Sequence, residues 1–280
     1  LVFFKIVLNR GEEEKKVTMA DATLPLVGVQ TYDHTMGELH GYRTEMDACY
    51  MRDALIPLDS KRKMDLTIDT YGYDIDRVSY EVRSLDTQRK IADTKINDWS
   101  KDKNTWTKSL QIENLVDEGQ EYLFILKLHC KSDDLYYYTR ITLPEETYAK
   151  KCLEFTDSFH NVSMSDQYEL LASYIEPADY TDKNDLGNVN INSSIDQIGW
   201  RGFAGKQVGD PLVSFTDIND TYASLVYTYQ MAEEADGATN YYKVEEYYKV
   251  RYTDQQIYLL DYQRSMEQII GVDEVRFCRI

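Results

Sequence analysis

The four histidines, His34, His40, His129 and His160, are the first residues with chemistry to offer. Asp33, His34, Glu38 and His40 lie close together, and Glu38 and His40 would share a strand face, a spacing at which two zinc ligands can begin a site. Nothing else in the sequence completes such a site, so these read as ordinary surface side chains. His129 beside Lys127 belongs to the polar face of a strand, and His160 ends a helix, where an imidazolium suits the dipole. Asp182 to Asn190 is dense in oxygen donors, as a calcium loop is. Its fifth position is Leu186, however, and its twelfth is Ser193, where a bidentate Glu is expected. A loop in which Asx side chains bond their own backbone is the simpler reading. Gly199 to Gln207 invites a phosphate-loop reading that fails at Trp200, where Gly is needed, and at Gln207, where Ser or Thr is needed. It reads as a surface loop. Cys130 continues the face of Phe124, Leu126 and Leu128, and Cys152 lies on an apolar helical stripe, so both act as small buried hydrophobes. Cys49 and Cys130 are the pair that could form a disulfide. No nucleophile elbow and no His-Glu-x-x-His occurs. No catalytic, cofactor-binding or metal residue is therefore assigned, and the chain is read as not an enzyme.

The elements around these residues are mainly strands. Met64–Asp69 and Val78–Arg83 alternate apolar and polar residues, the period of a half-buried strand. Trp106, Leu110 and Ile112 mark another. Tyr122–Leu128 and Leu135–Leu143 read as a hairpin, and Leu24–Tyr32 and Met36–Tyr42 add two more strands. This spacing predicts an immunoglobulin- or fibronectin-like antiparallel sandwich over 21–143, without the Cys…Trp…Cys core of antibody domains. The period then changes. Pro144, Glu145 and Glu146 suit a first helical turn, and Tyr148, Cys152, Phe155 and Phe159 form one helical face. A second helix, capped near Ser163–Asp166, carries Leu171, Tyr174 and Ile175. Long strands follow, with Ala223, Leu225, Tyr227, Tyr229 and Met231 on one face. Tyr242, Val244, Tyr248, Val250 and Tyr252 share a face of the next strand, and Tyr258, Leu260 and Tyr262 a face of the last. Residues 144–280 are thus a helical connector and an α+β domain with a long-stranded antiparallel sheet, or the opening blade of a propeller if the chain continues.

The chain of 280 residues has a net charge of −18, which excludes nucleic acid and anionic lipid head groups as direct partners. The charge is uneven: residues 1–143 hold 20 basic and 25 acidic side chains, residues 144–280 only 11 and 24. Of the 24 tyrosines, 14 fall in the second part. Tyr suits half-buried sheet faces, and it also lines glycan and protein surfaces. Tyr136-Tyr137-Tyr138, Tyr241-Tyr242 and Tyr247-Tyr248 must each expose a ring on a single-layer sheet unless something covers it. The apolar run at residues 1–8, followed at once by Glu12-Glu13-Glu14, reads as the outer end of a truncated membrane anchor, with an N-terminal strand as the alternative; 1–20 is assigned to that end and its linker.

Several stretches resemble uncharacterised, membrane-anchored extracytoplasmic proteins of anaerobic Gram-positive bacteria. They are Leu39-His-Gly-Tyr-Arg-Thr-Glu-Met-Asp47, Met51-Arg-Asp53, Ser79-Tyr-Glu-Val-Arg-Ser-Leu-Asp86, Val250-Arg-Tyr-Thr and Tyr258-Leu-Leu-Asp-Tyr262. The resemblance covers most of the chain through non-catalytic motifs. It implies a single N-terminal anchor and an envelope location, and it carries over no activity, cofactor or ligand residue. The expectation is a non-enzymatic, bacterial cell-envelope protein that binds a protein partner or wall component. The front part of a larger wall-modifying enzyme and a glycan-binding module are the alternatives.

Overall fold

The computed structural model describes residues 24–269 except 53, 114–115, 132, 179–184, 236 and 254–255. The apolar run at residues 1–8, the C-terminal residues 275–280 and the Asp182–Asn184 part of the oxygen-rich loop lie outside the described residues.

The protein is mainly β, with two sheets dominated by antiparallel pairs. The chain opens with β1 (Leu26–Thr31) and β2 (His34–Leu39). Tyr32 and Asp33 between them both have positive φ, 51° and 62°, which gives a two-residue hairpin turn its required twist. Next come β3 (Leu55–Pro57), β4 (Lys63–Asp69), β5 (Ile75–Ser84), β6 (Lys90–Ile96), β7 (Ser100–Asp102) and β8 (Thr105–Gln111). The hairpin of β9 (Glu121–Cys130) and β10 (Asp134–Thr142) pairs Leu128 with Leu135 and Phe124 with Thr139. A five-stranded sheet has the order β2-β1-β4-β8-β7. Its buried alternates Val27, Val29, Leu66 and Ile68 share one core with Val82, Leu126 and the stacked rings of Tyr80 and Phe124. The opposite face of β9, Leu123 and Ile125, is covered by the segment around Ala48 and Met51, which also shields Tyr138.

After Pro144 the chain enters α1 (Glu146–Ser163), capped by the Glu145 carboxylate, which accepts from the backbone N–H groups of Thr147 at 3.0 Å and Tyr148 at 2.6 Å. Where the sequence predicts a second α-helix, the chain forms a 3₁₀ helix, Tyr168–Tyr174, of which Leu171 alone is buried. β11 (Asn188–Asn190) and α2 (Ile195–Ile198) lead to four long strands: β12 (Lys206–Ile218), β13 (Ala223–Ala235), β14 (Ala238–Tyr252) and β15 (Ile257–Ile269). These join the first part in one ten-stranded sheet, β11-β15-β14-β13-β12-β3-β10-β9-β5-β6. The link is a single pair, Phe215 of β12 with Leu55 of β3. It is reinforced by the buried Arg140 of β10, whose guanidinium donates to the Thr216 carbonyl at 2.8 Å and to Glu121 at 2.7 Å.

The face of β13 predicted from its alternation is buried in full: Ala223, Leu225, Tyr227, Tyr229 and Met231. In β15 the expectation fails. Lys249 pairs with Asp261 but Val250 pairs with Leu259, so Leu260 is the extra residue of a bulge. A bulge shifts the alternation by one, which leaves Tyr258 and Leu260 exposed while Tyr262 is buried. Among the described residues no helix is long and apolar enough to cross a membrane.

Candidate functional site

α1 lies on the buried face of β12–β15 and directs Thr156, Asp157 and His160 into it, residues within one helical turn of each other. His160 meets acceptors at both ring nitrogens: Nδ1 is 2.7 Å from Glu246 Oε2, and Nε2 is 2.9 Å from Gln207 Oε1. Gln207 is oriented by its own Nε2, which donates to the Gly209 carbonyl at 2.9 Å. Two acceptors require two N–H groups, so the ring is an imidazolium. Burial pushes the His160 pKa down, but the Glu246 carboxylate outweighs it and the net shift is upward. Burial likewise works against an ionised Glu246, yet His160 first, with Arg264 and Tyr248, holds its pKa below the usual carboxylate range. Glu246 is fully buried and accepts two further bonds, from Tyr248 at 2.8 Å and Tyr262 at 3.1 Å.

A second ion pair lies beside the first. Tyr227 donates to Asp157 Oδ1 at 2.7 Å, and Asp157 Oδ2 is 2.8 Å from His34 Nε2. His34 Nδ1 is 2.7 Å from the Tyr32 carbonyl. The bond to Asp157 raises the His34 pKa, against burial. Burial pushes Asp157 up, and His34 and Tyr227 more than reverse it. Asp157 thereby fastens the β1–β2 hairpin of the five-stranded sheet to α1.

Arg264, opposite Glu246 across β14 and β15, closes the arrangement. Its guanidinium donates to the carbonyls of Ile198 at 2.9 Å and Gln197 at 2.6 Å and lies 3.5 Å over the Trp200 ring. The Gly199–Gln207 segment predicted to be a surface loop therefore carries a buried Trp200. It follows a helix and precedes a strand, the reverse of a phosphate loop's order. Tyr229 packs edge-on against His160 at 4.9 Å; burial, then Glu246, push its ionisation far up, so it stays a neutral phenol. The charged atoms of the two pairs are matched with partners, and most of the network is sealed from solvent. The Glu246–His160 pair fixes geometry inside, while the side chains of His34 and Asp157 keep 30% and 29% of their surface exposed.

The other face of the same strands is open. β11 and β13–β15 line a polar groove of about 630 Å³. Cross-strand pairing sets its side chains in rows: Asn190 beside Gln263 beside Tyr247, and Asn188 beside Ser265 beside Glu245. Gln263 Nε2 donates to Asp261 at 3.0 Å, and Glu245 accepts from Lys243 at 2.6 Å. The Tyr247 hydroxyl lies 3.2 Å from Ser224 Oγ on the neighbouring strand, which lays its ring across the sheet surface.

The remaining residues singled out in the sequence are dispersed. Glu38 and His40 are exposed, while His34 has turned to Asp157. Among the described residues no group of three His, Cys, Asp or Glu is placed to hold a metal ion. Asp185 and Asn190 close local turns, Asp185 accepting from the backbone of Gly187 at 2.7 Å and Asn190 from that of Asn192 at 2.9 Å. Cys49 and Cys130 form no disulfide; they and Cys152 are free thiols. Burial pushes the Cys152 thiol up to about 12. His129 bonds Asp134 at 2.8 Å on the polar side of β9. Glu246 was missed because, among 24 Asp and Glu in residues 144–280, one carboxylate in the apolar phase of β14 does not stand out. The signal available was that phase: Glu246 falls between Val244 and Tyr248, where the alternation demands an apolar residue.

Comparison with protein-family models and with curated proteins finds no match for this chain.

Proposed function

We propose that this protein is a non-enzymatic binding or scaffold module of the bacterial cell envelope, held outside the membrane, with a protein or wall component as its partner. The observation that carries this reading is the contrast between the two faces of β13–β15. The ionised groups inside are paired with one another, while the outer face offers an open polar groove. The strong negative charge turns the module away from nucleic acid and anionic lipid. In this reading residues 21–143 are an immunoglobulin-like sandwich, and a boundary near Pro144 separates them from the α+β part. Anchoring rests on the apolar start of the chain and on the resemblance to envelope proteins.

The test is co-sedimentation of the purified chain with isolated walls and with solubilised membrane proteins of a Gram-positive anaerobe. Retention by either, without release of wall fragments, is expected. Retention by neither, or turnover of the wall, overturns the reading. Protease treatment of intact cells checks the location: the full-length protein should be cleaved from outside.

A further inference from the structure

We propose that the groove between β11 and β13–β15 is a binding site for an uncharged oligosaccharide. This rests on the binding-module reading and names the ligand chemistry for it. Sugar hydroxyls are donors and acceptors together, and the side chains best suited to them are planar amides, which offer both roles in one plane, and carboxylates, which accept from two hydroxyls. The groove supplies these in ordered rows. Asn190, Gln263 and Tyr247 lie side by side on three adjacent strands, with Asn188, Ser265 and Glu245 in the next row. Strands are about 4.8 Å apart, so the four strands from β11 to β13 present a platform about 14 Å across, enough for a short oligosaccharide.

The aromatic part is in place as well. Tyr247 is only partly buried, its hydroxyl is tied to Ser224 and it lines the groove, so an anchored aromatic ring borders it. A flat aromatic face beside amides is suited to the C–H face of a sugar ring. Charge decides between candidate occupants. The one cation among the lining residues, Arg264, has its guanidinium turned to the carbonyls of Ile198 and Gln197 on the buried side. Lys243, at the groove's edge, is paired with Glu245 at 2.6 Å, so the lining residues offer an acidic polymer no uncompensated cation. Of its carboxylates Glu245 is paired with Lys243, while Asp261 accepts from the neutral Gln263 amide and keeps its charge, so a polybasic peptide would find a single uncompensated carboxylate. A neutral, hydroxyl-rich ligand fits what remains: amides, hydroxyls, a ring face and the outer oxygens of two carboxylates.

The experiment is an array of neutral, amino and acidic oligosaccharides, followed by calorimetric titration of the full chain with the neutral oligosaccharide that gives the strongest signal. The neutral class should bind and the acidic class should not. Tyr247→Ala and Gln263→Ala should each weaken binding about tenfold, while Tyr247→Phe, which keeps the ring, should stay within about threefold. Circular dichroism melts of the variants establish that they fold. A blank neutral class, or neutral binding untouched by Tyr247→Ala and Gln263→Ala, overturns the proposal. So does a Lys- and Arg-rich peptide that binds the groove in place of the sugar. If the oligosaccharides fail while walls or membrane proteins still retain the chain, this inference alone falls; if nothing retains it, the binding-module reading falls with it.

Discussion

Replacing Glu246 by Gln changes one atom and removes the anion on which the buried network depends. In the native protein Glu246 accepts from His160, Tyr248 and Tyr262. Bonds to a charged group are worth about 1.5–3 kcal/mol each, and breaking a buried ion pair by removing one partner costs about 3–5 kcal/mol. The Gln carbonyl keeps one acceptor and its NH₂ then faces a donor, so a loss of about 3–4 kcal/mol is expected. That is a large part of the ~5–15 kcal/mol that stabilises a typical domain, yet not all of it. The pH dependence gives a second, independent reading. His160 and His34 both have pKa values raised by folding. Their contribution is fully present below the unfolded value of 6.5 and is lost as the pH rises through the folded values. Between those limits each histidine lowers stability by about 1.4 kcal/mol per pH unit. Glu246, whose pKa folding depresses, contributes above the unfolded value and loses its contribution as the pH falls through the folded one. In Glu246→Gln the carboxylate that outweighs burial is gone and only Gln207 and Asp157 still favour the charged ring, so the His160 pKa falls and its share of the alkaline loss shrinks. Urea unfolding followed by tryptophan fluorescence at pH about 6 and about 9 measures both effects. A variant as stable as the native protein, or one with the same alkaline slope, would refute the assignment of a buried imidazolium–carboxylate pair.

Two further outcomes follow from the same structure. Arg140→Leu removes the bonds from β10 to Thr216 and Glu121 at the junction of β3 and β12, leaving those acceptors without this donor. It should cost about 3–5 kcal/mol and lower the midpoint of a single calorimetric transition, since the Ser214 bond to the Met36 carbonyl, the Asp157–His34 pair and the shared core still join the two parts; an unchanged midpoint would show that the junction does not depend on Arg140. In a Cys278→Ser background, a thiol reagent should modify exposed Cys49 in the native protein and leave buried Cys152 untouched until denaturant is added; equal native rates would contradict the burial of α1.

The strands were legible because alternation is a local property. Val78–Arg83 and the Tyr122–Leu128 run announce β5 and β9 on their own residues, and Tyr148, Cys152, Phe155 and Phe159 announce α1. What joins them was not legible. The pairing of Phe215 with Leu55 spans most of the chain, and no composition cue marks it. The bulge at Leu260 was hidden because one extra residue leaves the alternating pattern intact while turning Tyr258 and Leu260 outward. His160 was placed correctly on the helix but assigned to the dipole; its partner lies 86 residues away on β14. In sequence His34 groups with its neighbours Glu38 and His40, whereas its partner is Asp157 of α1. Side chains meet across elements, and a single sequence encodes elements far better than meetings.

The buried network also bears on the groove, because Glu246 sits between Glu245 and Tyr247 on one strand. A slip of β14 by one residue would exchange its two faces, bringing Glu245 and Tyr247 inside and Glu246 out. The buried Val244, Tyr248 and Val250 oppose such a slip, because it would set Lys243, Glu245, Tyr247, Lys249 and Arg251 in their place. The carboxylate adds to this, because the native register sets it against His160, Tyr248 and Tyr262, whereas a slip would bring Glu245 in and turn Tyr248 out. A buried ion pair is often no more stabilising than apolar residues of similar volume, so its value here lies in register. The combined variant His160→Leu, Glu246→Met, Tyr248→Phe and Tyr262→Phe, which leaves neither buried hydroxyl without its acceptor, should therefore keep a midpoint of urea unfolding near the native one, unlike Glu246→Gln, which strands a lone partner. Amide spectra should nevertheless show doubled or broadened signals along β14 and β15, the mark of more than one pairing. A combined variant as sharply resolved as the native protein would assign the register to the apolar packing of Val244 and Val250 and remove the buried charge from any part in shaping the groove.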